Sequence, residues 1–327
     1  MTNLTGKFLG TARKLVCTPV NRLLNGIDPP VLVLLYHRVT TLSVDPEMLA
    51  VSPENFRAQL RLIKERFPLV RFEEDWDKAA RPAICITFDD GYADNALEAL
   101  PILEELGVPA TFFVSTGTVD TRQQFWWDEL QQILLEPREL PASFTLPGGG
   151  ARSWPATGKA EREELYRFLV PLLTGAETGR RKEIMAELRS WAACPGEADD
   201  RHRALTLDEL RRLSASPWVT IGAHTVSHSQ LSSLSTSAQR EEIRESKRQL
   251  ESWLGKEITV FSYPYGKRSQ YTSKSAELCR EAGFTKTAAN FPGQAHRWSD
   301  PQQIPRMLVR NWPADEFARR LKGFWTR

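Results

Sequence analysis

The sequence is poor in the features that settle a protein's class at a glance. Its four cysteines, Cys17, Cys85, Cys194 and Cys279, are scattered over 327 residues with no CxxC spacing. Cys85 falls inside an apolar segment with the look of a core strand, so a disulfide framework is not expected and a reducing compartment fits. A net charge of only +2 gives bulk electrostatics no reason to favour a nucleic-acid partner. No apolar stretch is long enough to cross a bilayer; Val31-Leu32-Val33-Leu34-Leu35 falls far short and suits a buried strand. The start of the chain carries neither an apolar run of secretory length nor a small-residue cleavage pattern, which predicts a cytoplasmic protein. Internal repeats and low-complexity tracts are absent too. What is there is ordinary: 41% hydrophobic and 26% charged residues, in a chain long enough for one large α/β domain or two smaller ones.

One more absence marks the N-terminus. No acidic residue occurs before Asp28, while Lys7, Arg13, Lys14 and Arg22 alternate with Leu4, Phe8, Leu9, Leu15, Val16, Val20, Leu23 and Leu24. Residues 1–29 are therefore set apart as a basic amphipathic segment. Such a segment suits a peripheral place at a membrane surface through residues 1–26, or a helix packed on its own domain.

From residue 30 onward strand signals alternate with helices, the pattern of a parallel α/β architecture. Strands are expected over Val31 to Tyr36, Pro82 to Phe88, Ala110 to Val114, Trp218 to Ala223, Thr259 to Tyr263, Phe284 to Ala289 and Arg306 to Arg310. Ser52 and Pro53 open a helix with Phe56, Leu60 and Ile63 on one face. Further helices run from Ala96 to Leu106, Ser237 to Leu254 and Ser273 to Ala282, each followed by a glycine. The rhythm breaks between about residues 120 and 205, which reads as a mostly helical insertion capping one face, either shaping a cleft or only packing.

Chemistry-bearing residues gather at the C-terminal ends of these strands, where α/β barrels carry their sites. Asp89-Asp90-Gly91 ends one strand; alone it is a common turn, but adjacent carboxylates repel, and a cation relieves that repulsion. Two of the five histidines, His224 and His228, follow another strand; on a helical turn their spacing would put both rings on one face. Asp90, His224 and His228 make a three-ligand set for zinc with a fourth position open, leaving Asp89 to take a proton. Phe261-Ser262-Tyr263-Pro264-Tyr265-Gly266 supplies a tight loop with aromatic walls suited to sugar rings, and the Tyr265 N–H is a candidate oxyanion donor. His37, after the first strand, is a candidate proton donor to a leaving amine, or a hydrogen-bonded structural histidine.

Thr87-Phe88-Asp89-Asp90-Gly91-Tyr92, His224-Thr225-Val226-Ser227-His228 and Tyr263-Pro264-Tyr265-Gly266, in that order, resemble the polysaccharide deacetylase (NodB-type) family, carbohydrate esterase family four. Leu35-Tyr36-His37-Arg38-Val39, with Val51-Ser52-Pro53-Glu54-Asn55-Phe56 and Gln59-Leu60, further resembles the branch that de-N-acetylates poly-N-acetylglucosamine exopolysaccharides. The resemblance implies a deformed (β/α) barrel over residues 30–327 and metal-dependent removal of acetyl groups from amino sugars. It implies Asp89 as base and Asp90, His224 and His228 as ligands to a divalent metal, Zn2+ first, Co2+ or Ni2+ next. Its partner is an N-acetylated glycan, polymeric or lipid-linked, in surface-polysaccharide assembly.

Two departures stand out. Ser262 occupies the place of the family's usual arginine in the third motif, and Met307-Leu308-Val309-Arg310 lacks the usual C-terminal histidine. The resemblance then passes the acid role to His37 and lets Arg306 stand in beside Asp89. Competing readings are hydrolysis of another amide or ester, and a glycan-binding pseudoenzyme.

Overall fold

A computed structural model describes residues 25–325, apart from 77–79, 122, 147, 149–152 and 195–199. The basic N-terminal segment therefore lies almost wholly outside the described residues. Strands are β1 (Val31–Tyr36), β2 (Arg38–Val39), β3 (Ala50–Val51), β4 (Ala83–Phe88), β5 (Ala110–Val114), β6 (Ser143–Thr145), β7 (Ser153–Pro155), β8 (Val219–Ala223), β9 (Val260–Ser262), β10 (Lys286–Ala288) and β11 (Met307–Leu308). Helices are α1 (Pro53–Arg66), α2 (Leu100–Leu106), α3 (Trp126–Leu135), α4 (Lys159–Gly175), α5 (Thr178–Trp191), α6 (Leu207–Ala215), α7 (Thr236–Leu254), α8 (Ser273–Glu281) and α9 (Ala314–Phe324).

Seven strands form one all-parallel sheet in the order β10-β9-β8-β5-β4-β1-β11. The sheet curls into a deformed barrel: Ile304 pairs with Ala288 on one edge strand, and Met307 pairs with Leu34 in β1 at the other side. Helices cover its outer face, so both faces of the strands are buried, and β1 and β4 are apolar almost throughout. Odd-numbered residues of β1 and β4 (Val31, Val33, Ala83, Cys85) enter a small inner cluster with Phe113, Val260 and Ala288. Even-numbered ones (Leu32, Leu34, Ile84, Ile86) join the larger cluster under the helices.

Helix boundaries follow local chemistry. Ser52 Oγ accepts the Asn55 N–H at 3.2 Å and Pro53 follows, which starts α1. Gly107 and Gly255 end α2 and α7 in left-handed conformation, at φ of 61° and 63°. The helix expected from Ala96 begins instead as a π-helical turn over Asn95–Ala99, before α2.

Between β5 and α6 the chain builds α3, the antiparallel β6–β7 hairpin, α4 and α5 around their own apolar cluster, which includes Leu130, Phe144, Trp154, Leu169 and Leu188. Residues 307–308 form a strand where five residues were expected, and α9 was not anticipated. Among the described residues no disulfide forms, and Cys85, Cys194 and Cys279 are free thiols. No helix among them is long and apolar enough to cross a membrane.

Candidate metal centre

Period-two alternation explains why distant residues meet. Val219, Ile221 and Ala223 of β8 join the outer cluster, so the opposite phase points inward. Extending the inward phase past the strand ends directs His37, Asp89, His224 and Ser262 to one place, the C-terminal mouth of the barrel. The register agrees, because Tyr36 pairs with Phe88 and Val114 with Ala223. Asp90 should by the same rule point away. It does not, because the backbone turns left-handed there, with φ of 79° at Asp90 and 91° at Gly91. Gly91 is required by that turn and by space: a Cβ would lie 2.9 Å from Val114 Cγ1.

Asp90, His224 and His228 offer ligand atoms that all lie within 4.8 Å of one another, and all three side chains are buried. His224 Nε2 is 3.5 Å and His228 Nε2 3.2 Å from Asp90 Oδ1. The His224 Nδ1–H donates to the Ser262 carbonyl at 2.7 Å, which leaves Nε2 as the lone-pair atom. That Nε2 is buried without a hydrogen-bond partner. One carboxylate and two imidazoles around an unsatisfied nitrogen match the donor set and the spacing a divalent transition-metal ion requires. Burial alone would raise the Asp90 carboxyl, but the adjoining imidazoles of His224 and His228 outweigh it and hold the group far below the ordinary range. Burial also lowers His228, against the pull of Asp90.

Asp89 lies outside the triad, with Oδ2 at 3.9 Å from His224 Nε2. Arg306, 1% exposed, grips it with two parallel bonds, Nη1 to Oδ1 at 2.7 Å and Nη2 to Oδ2 at 2.6 Å. Ser262 Oγ donates to Oδ2 at 3.2 Å and accepts from Arg306 Nη2 at 2.8 Å. Arg306 Nε donates to the Ala289 carbonyl at 2.8 Å. Burial would raise the Asp89 carboxyl; the Arg306 charge, followed by His224, overrides it and keeps the group ionised below its usual value. Of roughly four acceptor positions on a carboxylate, three are filled, leaving one on Oδ1.

His37 is half-buried, and its strongest charged neighbours are Asp90 and then Asp89, which try to raise it; burial is the larger effect and lowers it. Its carbonyl accepts from Asn95 Nδ2 at 2.9 Å, and its Nδ1 has no hydrogen-bond partner among the described residues. Tyr265 has φ of 59°, and among the described residues nothing accepts its backbone N–H. Its phenol, pushed up to about 12 by burial, accepts from Trp126 Nε1 at 3.3 Å.

Two sequence expectations need correction. His224 and His228 do not share a helical face: residues 224–230 are irregular, with Thr225 at φ of 64° and His228 at 52°. It is this left-handed loop that turns the second ring back toward the first. Nor do Phe261 and Tyr263 wall a cleft. Both are fully buried, and Tyr263 stacks on Tyr271 at 4.1 Å with its hydroxyl on the Gln302 carbonyl. The aromatic rings at the site are Tyr265 and Trp127, each with its centroid 4.7 Å from that of His228.

Other contributors went unnoticed. Ser115-Thr116-Gly117 forms a spine between the two ligand loops, with Ser115 N–H on Asp90 O, Thr116 N–H on Thr225 O and Gly117 N–H on Val226 O at 3.1, 3.1 and 2.8 Å. Small residues after a β-strand were the available signal. Arg38, buried over the Tyr92 ring at 4.3 Å, pairs with Asp94 at 2.9 Å and Asp128 at 3.5 Å, tying α3 to the first motif. Nothing in the sequence pairs these residues.

The family model for polysaccharide deacetylases matches residues 77–142 and 189–286, half of the chain. The Bacillus subtilis (strain 168) protein YxkH is 20% identical over 285 residues, 85% of this chain and 70% of its own length. Among solved structures, BC0361, a polysaccharide deacetylase from Bacillus cereus, superposes with a TM-score of 0.59 at 19% identity, covering 89% of this chain and 69% of that one. The Streptococcus pyogenes deacetylase PplD, solved with acetate, gives 0.58 at 18% identity, covering 90% of this chain and 98% of that one.

Proposed function

This chain belongs to the polysaccharide deacetylase family, hydrolases of acetamide bonds, and we propose that it is a metal-dependent de-N-acetylase of N-acetylated amino sugars in a glycan. The observation that carries the reading is the division of labour at the barrel mouth. A buried carboxylate is clamped by Arg306 and faces, without joining, a three-ligand cluster.

Asp90, His224 and His228 would hold the ion, with Zn2+ the first candidate and Co2+ or Ni2+ alternatives. Such an ion, when bound, would supply Lewis-acid polarisation of the acetamide oxygen and a more acidic water near neutral pH. The chain's own groups do the rest. Asp89, held ionised, takes the proton of the attacking water on its free Oδ1 position as the C–O bond forms. Arg306 and Ser262 keep that carboxylate from turning toward the ligands. The Tyr265 N–H donates to the oxygen that gains charge in the tetrahedral state. His37 delivers a proton to the sugar nitrogen as the C–N bond breaks, so a free amine and acetate leave.

Similarity of Leu35-Tyr36-His37-Arg38-Val39, with Val51 to Phe56 and Gln59-Leu60, to the poly-N-acetylglucosamine branch points to oligomers of N-acetylglucosamine as the substrate to try first, with a place in surface-polysaccharide assembly. Acetate release from such oligomers is expected with metal-loaded protein, lost on chelation and restored by Zn2+ or Co2+. Asp89→Asn should lower turnover by about 10²–10⁴-fold while still binding metal. Wild-type turnover in that variant sinks the base assignment, and glycan binding without acetate release sinks the hydrolytic reading. The basic segment 1–26 is proposed to hold the enzyme at a membrane surface; loss of co-sedimentation with anionic vesicles on its removal is the test.

A further inference from the structure

The loop that carries His228 has two left-handed residues and no polar partner on the far side of its imidazole. Thr225 and His228 stand at φ of 64° and 52°, and His228 Nδ1 is buried without a hydrogen bond. A metal-binding histidine is ordinarily aimed by a bond to its other nitrogen, as His224 is by Ser262. His228 is instead aimed by its backbone together with the Trp127 and Tyr265 rings packed on it, so what fixes residues 226–229 helps to fix the ligand.

That backbone is fixed from two sides. Glu242 of α7 accepts the Val226 N–H at 2.8 Å and the Ser227 N–H at 2.9 Å with Oε2, and the Ser227 hydroxyl at 2.6 Å with Oε1. From the other side come the first residues of α5. Thr178 Oγ1 lies 3.0 Å from Ser229 Oγ, which lies 2.7 Å from Ser227 Oγ. Arg181 Nη2 donates to Ser229 Oγ at 3.2 Å and to the Ser227 carbonyl at 3.3 Å. Arg181 is 4% exposed, and among the described residues no carboxylate pairs with it. A guanidinium so buried and unpaired is unfavourable unless its contacts matter elsewhere. Its charge is met by loop oxygens, and the chain of hydroxyls ends at Glu242. The two flanks of His228, Ser227 and Ser229, are both saturated by this network.

Thr178 and Arg181 belong to the stretch between residues 142 and 189 that the family model does not match. We propose that this insertion is a working part of the metal centre: Thr178 and Arg181, opposite Glu242, are positioning residues that hold the His228 loop in its ligand-bearing conformation. The proposal rests on the metal-centre reading given above.

The test uses the full chain and Co2+ as the probe, with affinity and absorption spectrum as readouts and the unfolding midpoint of the metal-free protein measured beside them. Arg181→Gln and Glu242→Gln should weaken Co2+ binding by about 10–100-fold and alter its spectrum, the effect usual for outer partners of a ligand. Thr178→Val, a near-isosteric change that spares the fold, should act in the same direction by less. Arg189→Gln is the control. It breaks the 2.9 Å ion pair that ties the opposite end of α5 to Glu129 of α3, and should leave Co2+ affinity unchanged. Wild-type Co2+ affinity and spectrum in the Arg181 and Thr178 variants overturn the proposal, as does equal weakening in the Arg189 control. Wild-type protein that binds no Co2+ overturns the metal-centre reading and this proposal with it.

Discussion

His224 and His228 both turn Nε2 toward Oδ1 of Asp90, at 3.5 and 3.2 Å, but the molecule holds them by different means. His224 follows a barrel strand directly, and its far nitrogen is bonded to the next strand's carbonyl at 2.7 Å. Beside it Asp89, Arg306 and Ser262 form a closed set of charge-assisted bonds on three different strands or strand ends. His228 sits on an irregular loop, its ring packed between Trp127 and Tyr265 and its backbone braced by hydroxyls. One half of the site is thus fixed by sheet geometry and ionic pairing, the other by packing and by a segment foreign to the family pattern. The difference predicts that changes on the barrel side strike stability and chemistry together, whereas changes on the loop side strike metal affinity first.

The largest expected effect tests the ionic half. Arg306→Gln leaves Asp89 buried with no counter-charge, and breaking a buried pair from one side costs about 3–5 kcal/mol. Urea unfolding should show that loss. The double variant Arg306→Gln/Asp89→Asn removes both charges and should recover most of it, though not activity. If single and double variants are equally unstable, the pair is not the element that holds this half together.

The same pair sets a pH signature. Asp89 has a folded pKa below its unfolded value of about 3.9, so it contributes stability above that value and loses it as pH falls through the folded one. In Arg306→Gln burial acts unopposed, the folded pKa rises, and the acid limb of kcat/KM should move to higher pH. His37 is lowered by burial, so the alkaline limb should fall below the ordinary imidazole value of about 6.5, and His37→Gln should abolish that limb. A profile flat through that range removes His37 from the proton-donor role.

Metal, which on the proposed reading would join the two halves, ranks next. At free Co2+ near 100 times Kd, the native state should gain about 2.7 kcal/mol over the chelated protein. Asp90→Asn, which removes the shared carboxylate, should lose that gain, while Arg306→Gln should start lower and keep it. Calorimetric midpoints with and without metal decide this, and an equal gain in Asp90→Asn removes the triad as the metal site.

What could be read in advance follows the same divide. The barrel strands are continuous apolar runs ended by turns, and alternation along β1, β4 and β8 is enough to bring His37, Asp89 and His224 together. Arg306 was identifiable only through resemblance, since nothing local marks an arginine that must cross the barrel to a strand end far away in sequence. The loop half is not legible in this way, because four-residue spacing suggests a helical turn and left-handed backbone at Thr225 and His228 is only weakly signalled by non-glycine residues. The bracing of that loop by Thr178 and Arg181 was invisible for a different reason. Long-range hydroxyl contacts leave no periodicity, and the insertion's own amphipathic pattern reports only that it packs on itself.

Ser262→Ala gives the smallest of these effects and tests the barrel half most finely. The hydroxyl accepts from Arg306 Nη2 at 2.8 Å and donates to Asp89 Oδ2 at 3.2 Å, so it adds a third contact to a pair already bidentate. Its loss leaves one buried guanidinium N–H and one carboxylate lone pair each poorer by a charge-assisted bond to a hydroxyl, a cost of about 1.5–3 kcal/mol. Because the Arg306 clamp remains, the acid limb of kcat/KM should rise only slightly, far less than in Arg306→Gln. The Ser262 carbonyl that aims His224 belongs to the backbone and survives the change, so Co2+ affinity should stay at the wild-type level. A Ser262→Ala protein with weakened Co2+ binding but an unmoved pH profile would mean that the barrel side tunes the ligand rather than the base.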